Sequence, residues 1–194
     1  MIEKLVLKLV DRMETEKIIR NSEREHYEYA LITLIERFIT IGTILIIGLV
    51  SKLLIPTICF LIAFFSLRKR TGGYHADKFW QCYLATTITY MAVVHLAGLF
   101  SSNKSVLFVA LALAVLVIGA IGTVNHPNMD MNKEELQAAK ASARLIVLLE
   151  IMVIVIWAAL DVNELCVSYM SIAIILCALL MCIAKIIKQE VKTE

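Results

Sequence analysis

Hydrophobic positions fall into long, nearly uncharged runs separated by short polar stretches, the pattern of a chain that crosses a bilayer repeatedly. Runs at about 27–50, 53–67, 77–100, 106–124, 143–160 and 165–184 predict six transmembrane helices. The second, at about 15 residues, falls below the usual ~20 and is broken early by Pro56; local thinning, or Lys52 and Arg68 reaching outwards, would let it span. Ahead of the spans, Ile2, Leu5, Val6, Leu9, Val10 and Met13 recur at three- and four-residue spacing with Lys4, Lys8, Asp11 and Arg12 on other faces. That pattern predicts an amphipathic helix, too charged to cross, lying in the inner interface against anionic headgroups. Asn21 and Ser22 are plausible caps for the helix that follows. The connection 125–142 holds Lys133, Glu134, Glu135 and Lys140 and predicts a short loop helix. The expected fold is therefore all-α integral membrane: an interfacial helix in 1–24, six spans in 25–184 and a polar tail in 185–194.

Composition agrees with the pattern. Over 194 residues the chain is 60% hydrophobic, with a mean hydropathy of +0.80, which excludes an ordinary soluble domain. The net charge of +2 says little, whereas the placement of charge says much. Alternate connections carry sixteen Lys and Arg on one side and two on the other, with Arg37 inside a span. Cytoplasmic loops hold the basic excess, so both termini and the 68–82 segment are expected on the cytoplasmic side of the membrane. The five cysteines, at 59, 82, 166, 177 and 182, form no CxxC pair; four belong to apolar runs away from the basic stretch and Cys82 stands near the start of another, which points to reduced thiols rather than a disulfide framework or zinc site. Glu3, Asp11, Glu14, Glu16 and Glu23 interrupt what would be the apolar region of a signal peptide. Glu36, Arg37 and His95 are polar within spans; Glu36 and Arg37 are expected to face the protein interior or a wet cavity.

Candidate chemistry concentrates in one basic, glycine-broken stretch, Arg68-Lys69-Arg70-Thr71-Gly72-Gly73-Tyr74-His75-Ala76-Asp77-Lys78-Phe79-Trp80-Gln81-Cys82. Cys82 offers an intrinsically nucleophilic thiolate and His75 a base that titrates near neutral pH. Gly72 and Gly73 end one helix and expose backbone N–H groups before the next begins, an arrangement suited to a developing negative charge. Arg68, Lys69 and Arg70 would hold an acidic substrate nearby. The bland reading is a polar residue at a helix start, a thiol that packs as a small hydrophobe, and basic residues that only anchor the loop. On one straight helix, His75 and Cys82 would share a face with Cα atoms ~10.5 Å apart, too far for proton transfer. A working dyad needs His75 off the helix, which the glycine pair permits, or closure on substrate binding.

The stretch resembles the signature of the accessory gene regulator B (AgrB) family of membrane cysteine endopeptidases. The matching residues are Arg68-Lys69, Gly73, His75-Ala76 and Cys82, with a second family-like patch at Asn125-His126-Pro127-Asn128. Position 86 is Thr86, where the family often carries Ser. The resemblance implies that Cys82 is the nucleophile and His75 the proton carrier. The implied reaction is cleavage of the C-terminal part of an AgrD-like quorum-sensing propeptide and its cyclisation to a thiolactone autoinducing peptide. It implies the propeptide and membrane lipids as partners, leaves room for a homodimer, and calls for no cofactor, metal or nucleic acid. Two other classes compete: a transporter component, suggested by Glu36, Arg37 and His95, and a non-catalytic membrane scaffold.

Overall fold

The computed structural model describes residues 2–73, 79–125 and 131–188. Among them are seven α-helices: α1 (Ile2–Thr15), α2 (Arg24–Val50), α3 (Leu54–Thr71), α4 (Phe79–Ser102), α5 (Lys104–Ile121), α6 (Lys133–Ala159) and α7 (Glu164–Ile186). No strand occurs among the described residues, and the chain is an all-helical integral membrane protein. The six expected spans correspond to α2–α7. Five of these, all but α3, are long and apolar enough to cross a membrane. In α3 the last turn carries Arg68, Lys69 and Arg70, which interrupt its apolar stretch.

The chain divides into two compact units, residues 1–46 and 47–194. In the first, the amphipathic spacing of α1 buries Val6 and Val10 completely, together with Ile19 and against Met13, Leu31, Ile32 and Ile35. Leu5 and Leu9 on the neighbouring face stay exposed. Arg24 fixes the angle between the helices by bonding three carboxylates: Asp11 at 2.5 Å, Glu14 at 2.7 Å and Glu28 at 2.8 Å. These pairs are solvent-accessible, so they orient the hairpin more than they stabilise it. Glu36 is half-buried and Arg37 is exposed rather than turned inward.

The second unit is built around α7, which packs against α3, α4, α5 and α6. Ser168, Ser171, Ala173, Ala178 and Ala184 are buried along it and let the neighbouring backbones approach closely, as helix packing in lipid requires. The α3, α4 and α7 surfaces meet in an aromatic cluster in which the Phe60 ring lies 5.6 Å from Tyr90 and 6.5 Å from Tyr169. Thr57 Oγ1 and Tyr90 Oη share a 2.5 Å hydrogen bond beside it.

Two boundaries differ from the sequence expectation. Pro56 falls in the first turn of α3, where its missing N–H has no intrahelical acceptor to lose, so it starts the helix rather than breaking it. The expected loop helix and fifth span are one continuous helix, α6. Asn132 caps it, accepting from Glu135 N at 2.9 Å while the Glu135 carboxylate accepts from Asn132 N at 3.0 Å, and no Gly or Pro interrupts the 27 residues that follow.

Candidate functional site

The basic run of α3 ends at the glycine pair, as the sequence predicts. Gly72 caps the helix, its N–H donating to Arg68 O at 3.2 Å, and adopts φ 64°, ψ −140°. Gly73 follows at φ 113°, a backbone region that side chains disfavour. A Cβ at position 73 would run into Arg68 Nη1 and into the backbone C and O of Leu180, both 3.2 Å away. Residues 71–73 are buried, so the break is packed against α7 rather than looping into solvent.

The three basic residues part company here. Arg68 folds inward, is half-buried, and donates from Nη1 to Gly72 O. Arg70 turns towards α6, donating from Nε to Ser142 Oγ at 2.6 Å and from Nη1 back to Ser66 O at 2.8 Å. Lys69 alone is exposed. Cys82 lies in the first turn of α4, half-buried, and the Arg68 guanidinium is within electrostatic range of its sulfur and of Cys177 on α7. Cys177 is fully buried and donates weakly to Phe64 O at 3.8 Å. His75 lies outside the described residues, as do His126, Pro127 and Asn128.

The connection between α5 and α6 docks on the end of α3. The last carbonyls of a helix have no partner within it, and here Thr123 Oγ1 donates to Arg70 O at 3.0 Å and Val124 N to Thr71 O at 2.9 Å. Asn125 is buried and ties the two ends of that connection together: its Nδ2 donates to Met131 O at 3.1 Å and its Oδ1 accepts from Met131 N at 3.0 Å.

Sequence reasoning missed one buried carboxyl. Glu150, in the apolar part of α6, is 9% exposed; one carboxyl oxygen bonds Ser66 Oγ and the other, Oε2, has no partner among the described residues. A lone acid inside an apolar run is itself a signal, because a charge in hydrocarbon needs a reason. His95, by contrast, is exposed on α4. No cluster of metal-ligating side chains occurs among the described residues.

A polytopic helical protein in which a basic helix end breaks at two glycines, a few residues ahead of a helix that carries a cysteine in its first turn, is the class these observations define. The family described as Accessory gene regulator B matches residues 2–186, nearly the whole chain. The chain belongs to that family. It is similar to AgrB-like protein 2 of Clostridium perfringens (strain 13 / Type A), 24% identical over 147 residues that cover 75% of this chain and 69% of the relative. It is similar to the same extent to an AgrB-like protein of Clostridium perfringens (strain SM101 / Type A). No solved structure matches.

Proposed function

We propose that the protein is a membrane cysteine endopeptidase that cleaves the C-terminal part of a quorum-sensing propeptide at the cytoplasmic face and closes the retained part into a thiolactone. The observation that carries this reading is the placement of Cys82, half-buried, in the first turn of α4, just after a basic helix end whose Arg68 is folded onto the Gly72–Gly73 break. Family membership supports it.

In this reading Cys82 Sγ attacks the scissile carbonyl carbon while its proton passes to His75. The tetrahedral oxyanion that forms is stabilised by fixed positive charge, which favours charge developing in the transition state; the Gly72 N–H, given to Arg68 O, supports the helix end instead. The C–N bond then breaks, His75 returns the proton to the leaving amine, and the retained peptide is left as a thioester on Cys82. A propeptide cysteine gives its thiol proton to His75 and attacks that thioester, forming the ring and releasing the Cys82 thiolate, which takes the proton back from His75. The first transfer exchanges an amide for a less stable thioester and is drawn forward by loss of the released tail. The second exchanges one thioester for another and is near balance. A pocket that excludes water favours the internal thiol over hydrolysis.

The test is coexpression with the propeptide followed by mass spectrometry. Cys82→Ala abolishes release of the cyclic peptide, Cys82→Ser retains at most traces, and His75→Ala removes cleavage while propeptide binding persists. Alanine at Cys59, Cys166, Cys177 or Cys182 leaves processing largely intact. Processing by Cys82→Ala, or dispensability of all five cysteines, overturns the reading.

A further inference from the structure

The end of α3 is capped partly from within and partly from a distant connection. Gly72 N–H bonds Arg68 O, Gly72 O is taken by Arg68 Nη1, Arg70 O by Thr123 Oγ1, and Thr71 O by Val124 N. Two of those four partners come from the α5–α6 connection, some fifty residues away in sequence. That connection is itself fixed on two further sides. Gly122 ends α5 at φ 74°, so close to α6 that a Cβ there would meet Lys140 Cγ at 2.7 Å and Lys140 Cβ at 3.0 Å. Asn125 closes the other side through its paired bonds to Met131. Thr123, Val124 and Asn125 are all at most 1% exposed, so the bonds they make are shielded from water and cannot be exchanged freely for hydration.

The direction in which the chain leaves Thr71 decides how it enters and leaves the Gly72–Gly73 break. A stretch that must depart at two successive positive φ values gains its precision from what pins the residues before it. We infer that the α5–α6 connection is a positioning element of the reaction centre: Thr123 and the Val124 N–H set the exit angle of the Gly72–Gly73 break through the carbonyls of Arg70 and Thr71, and Asn125 acts behind them by holding the connection to Met131. This rests on the reading that His75 and Cys82 carry the chemistry. It adds that the active site is assembled from two connections of the bundle, not one, and that the second contributes by backbone control without touching the substrate.

The inference is tested on the full-length protein in lipid nanodiscs with a synthetic propeptide. Thr123→Val keeps the shape of the side chain and removes the hydroxyl, leaving Arg70 O buried without that partner. It lowers kcat about tenfold with KM within twofold, while Thr123→Ser, which keeps the donor, stays within threefold of the wild type. Hydrogen–deuterium exchange separates positioning from general destabilisation: in Thr123→Val, protection is lost in 68–73 and 122–125 together and retained in the middle of α7. Wild-type kcat in Thr123→Val overturns the inference, as does a loss that Thr123→Ser shares. Should Thr123→Val fail to accumulate, Asn125→Asp carries the test. It keeps the acceptor for Met131 N–H and loses the donor to Met131 O, and unchanged kcat together with unchanged exchange in 68–73 overturns the inference. Cys82→Ala run alongside distinguishes the two levels. If it still cleaves, the proposed function fails; if it is inactive and the Thr123 and Asn125 variants are not impaired, only the positioning role fails.

Discussion

Gly73→Ala is the substitution whose consequence follows most directly from the structure. The residue sits at φ 113°, and a Cβ added there would meet two kinds of neighbour. Arg68 Nη1 is the tip of a flexible side chain and can move, although moving it gives up the bond to Gly72 O. Leu180 C and O, at 3.2 Å, belong to the backbone of the most buried helix of the unit and cannot. The strained backbone and the tight contact together cost roughly 2–4 kcal/mol, taking ~1–3 for a sparsely populated φ/ψ and the remainder for overpacking. The chain escapes this by changing its path at the break, so the cost falls on the reactive geometry before it falls on global stability. At about 1.4 kcal/mol per factor of ten, single-turnover cleavage in nanodiscs drops ~30- to 1000-fold, while thermal stability changes little. Adding Arg68→Ala to Gly73→Ala brings no recovery, because the Leu180 backbone and the φ value remain. Cleavage by Gly73→Ala within threefold of the wild type, or rescue by removal of Arg68, would refute the reasoning.

Four further outcomes are expected. Ser66→Ala, which strands the Glu150 carboxyl, destabilises by ~1–3 kcal/mol, whereas Ser66→Ala with Glu150→Leu is closer to the wild type than Ser66→Ala alone; thermal unfolding in detergent reads both, and simple additivity sinks the idea. Gly48→Ala places a Cβ 2.9 Å from Thr57 Cβ and 3.0 Å from Thr57 Cγ2, costing ~1–3 kcal/mol, and Thr57→Ala returns part of it; an unchanged unfolding midpoint in Gly48→Ala contradicts the close approach. Membrane-impermeant amine labelling of intact cells modifies Lys52 and spares Lys69, both exposed in the structure, and labelling of Lys69 overturns the orientation. Within the basic run, Lys69→Glu raises KM and flattens its salt dependence with kcat nearly constant, whereas Arg70→Glu lowers kcat; equal effects at the two positions would mean that their different placements have no functional meaning.

How much the sequence discloses depends on whether a feature is local. The positions of the apolar helices follow from run length, because a bilayer imposes one length on every span and leaves the signal in the chain itself. The glycine break is equally local: two adjacent glycines after a basic turn end α3 where they stand. The first-turn place of Pro56 and the continuity of α6 differ from what run length predicts because each depends on where a helix begins. In α6 the capping pair Asn132 and Glu135 was present in the sequence as an Asn followed three residues later by Glu, and it outweighs the polarity of 133–142. What distance in sequence hides is pairing. Nothing near Arg70 announces that Thr123 takes its carbonyl and Ser142 its guanidinium, 53 and 72 residues away.

The division of the basic run shows why composition alone misjudges such a loop. Read as a string, Arg68, Lys69 and Arg70 are three equivalent positive charges, and any of them could anchor the loop or draw in an acidic peptide. Helical geometry separates them, since successive residues diverge by ~100° and cannot share a surface. Arg68 is turned to the glycine break and Arg70 to α6, which leaves Lys69 facing outwards. The two that turn inward are both arginines, whose planar guanidinium can donate in several directions at once. Arg70 does so, to Ser142 and to Ser66 O together. The one that stays exposed is the lysine, a mobile point charge suited to attracting a partner without fixing its geometry. The choice between Arg and Lys within three consecutive positions therefore separates the residues that hold the end of α3 in place from the one left facing outwards.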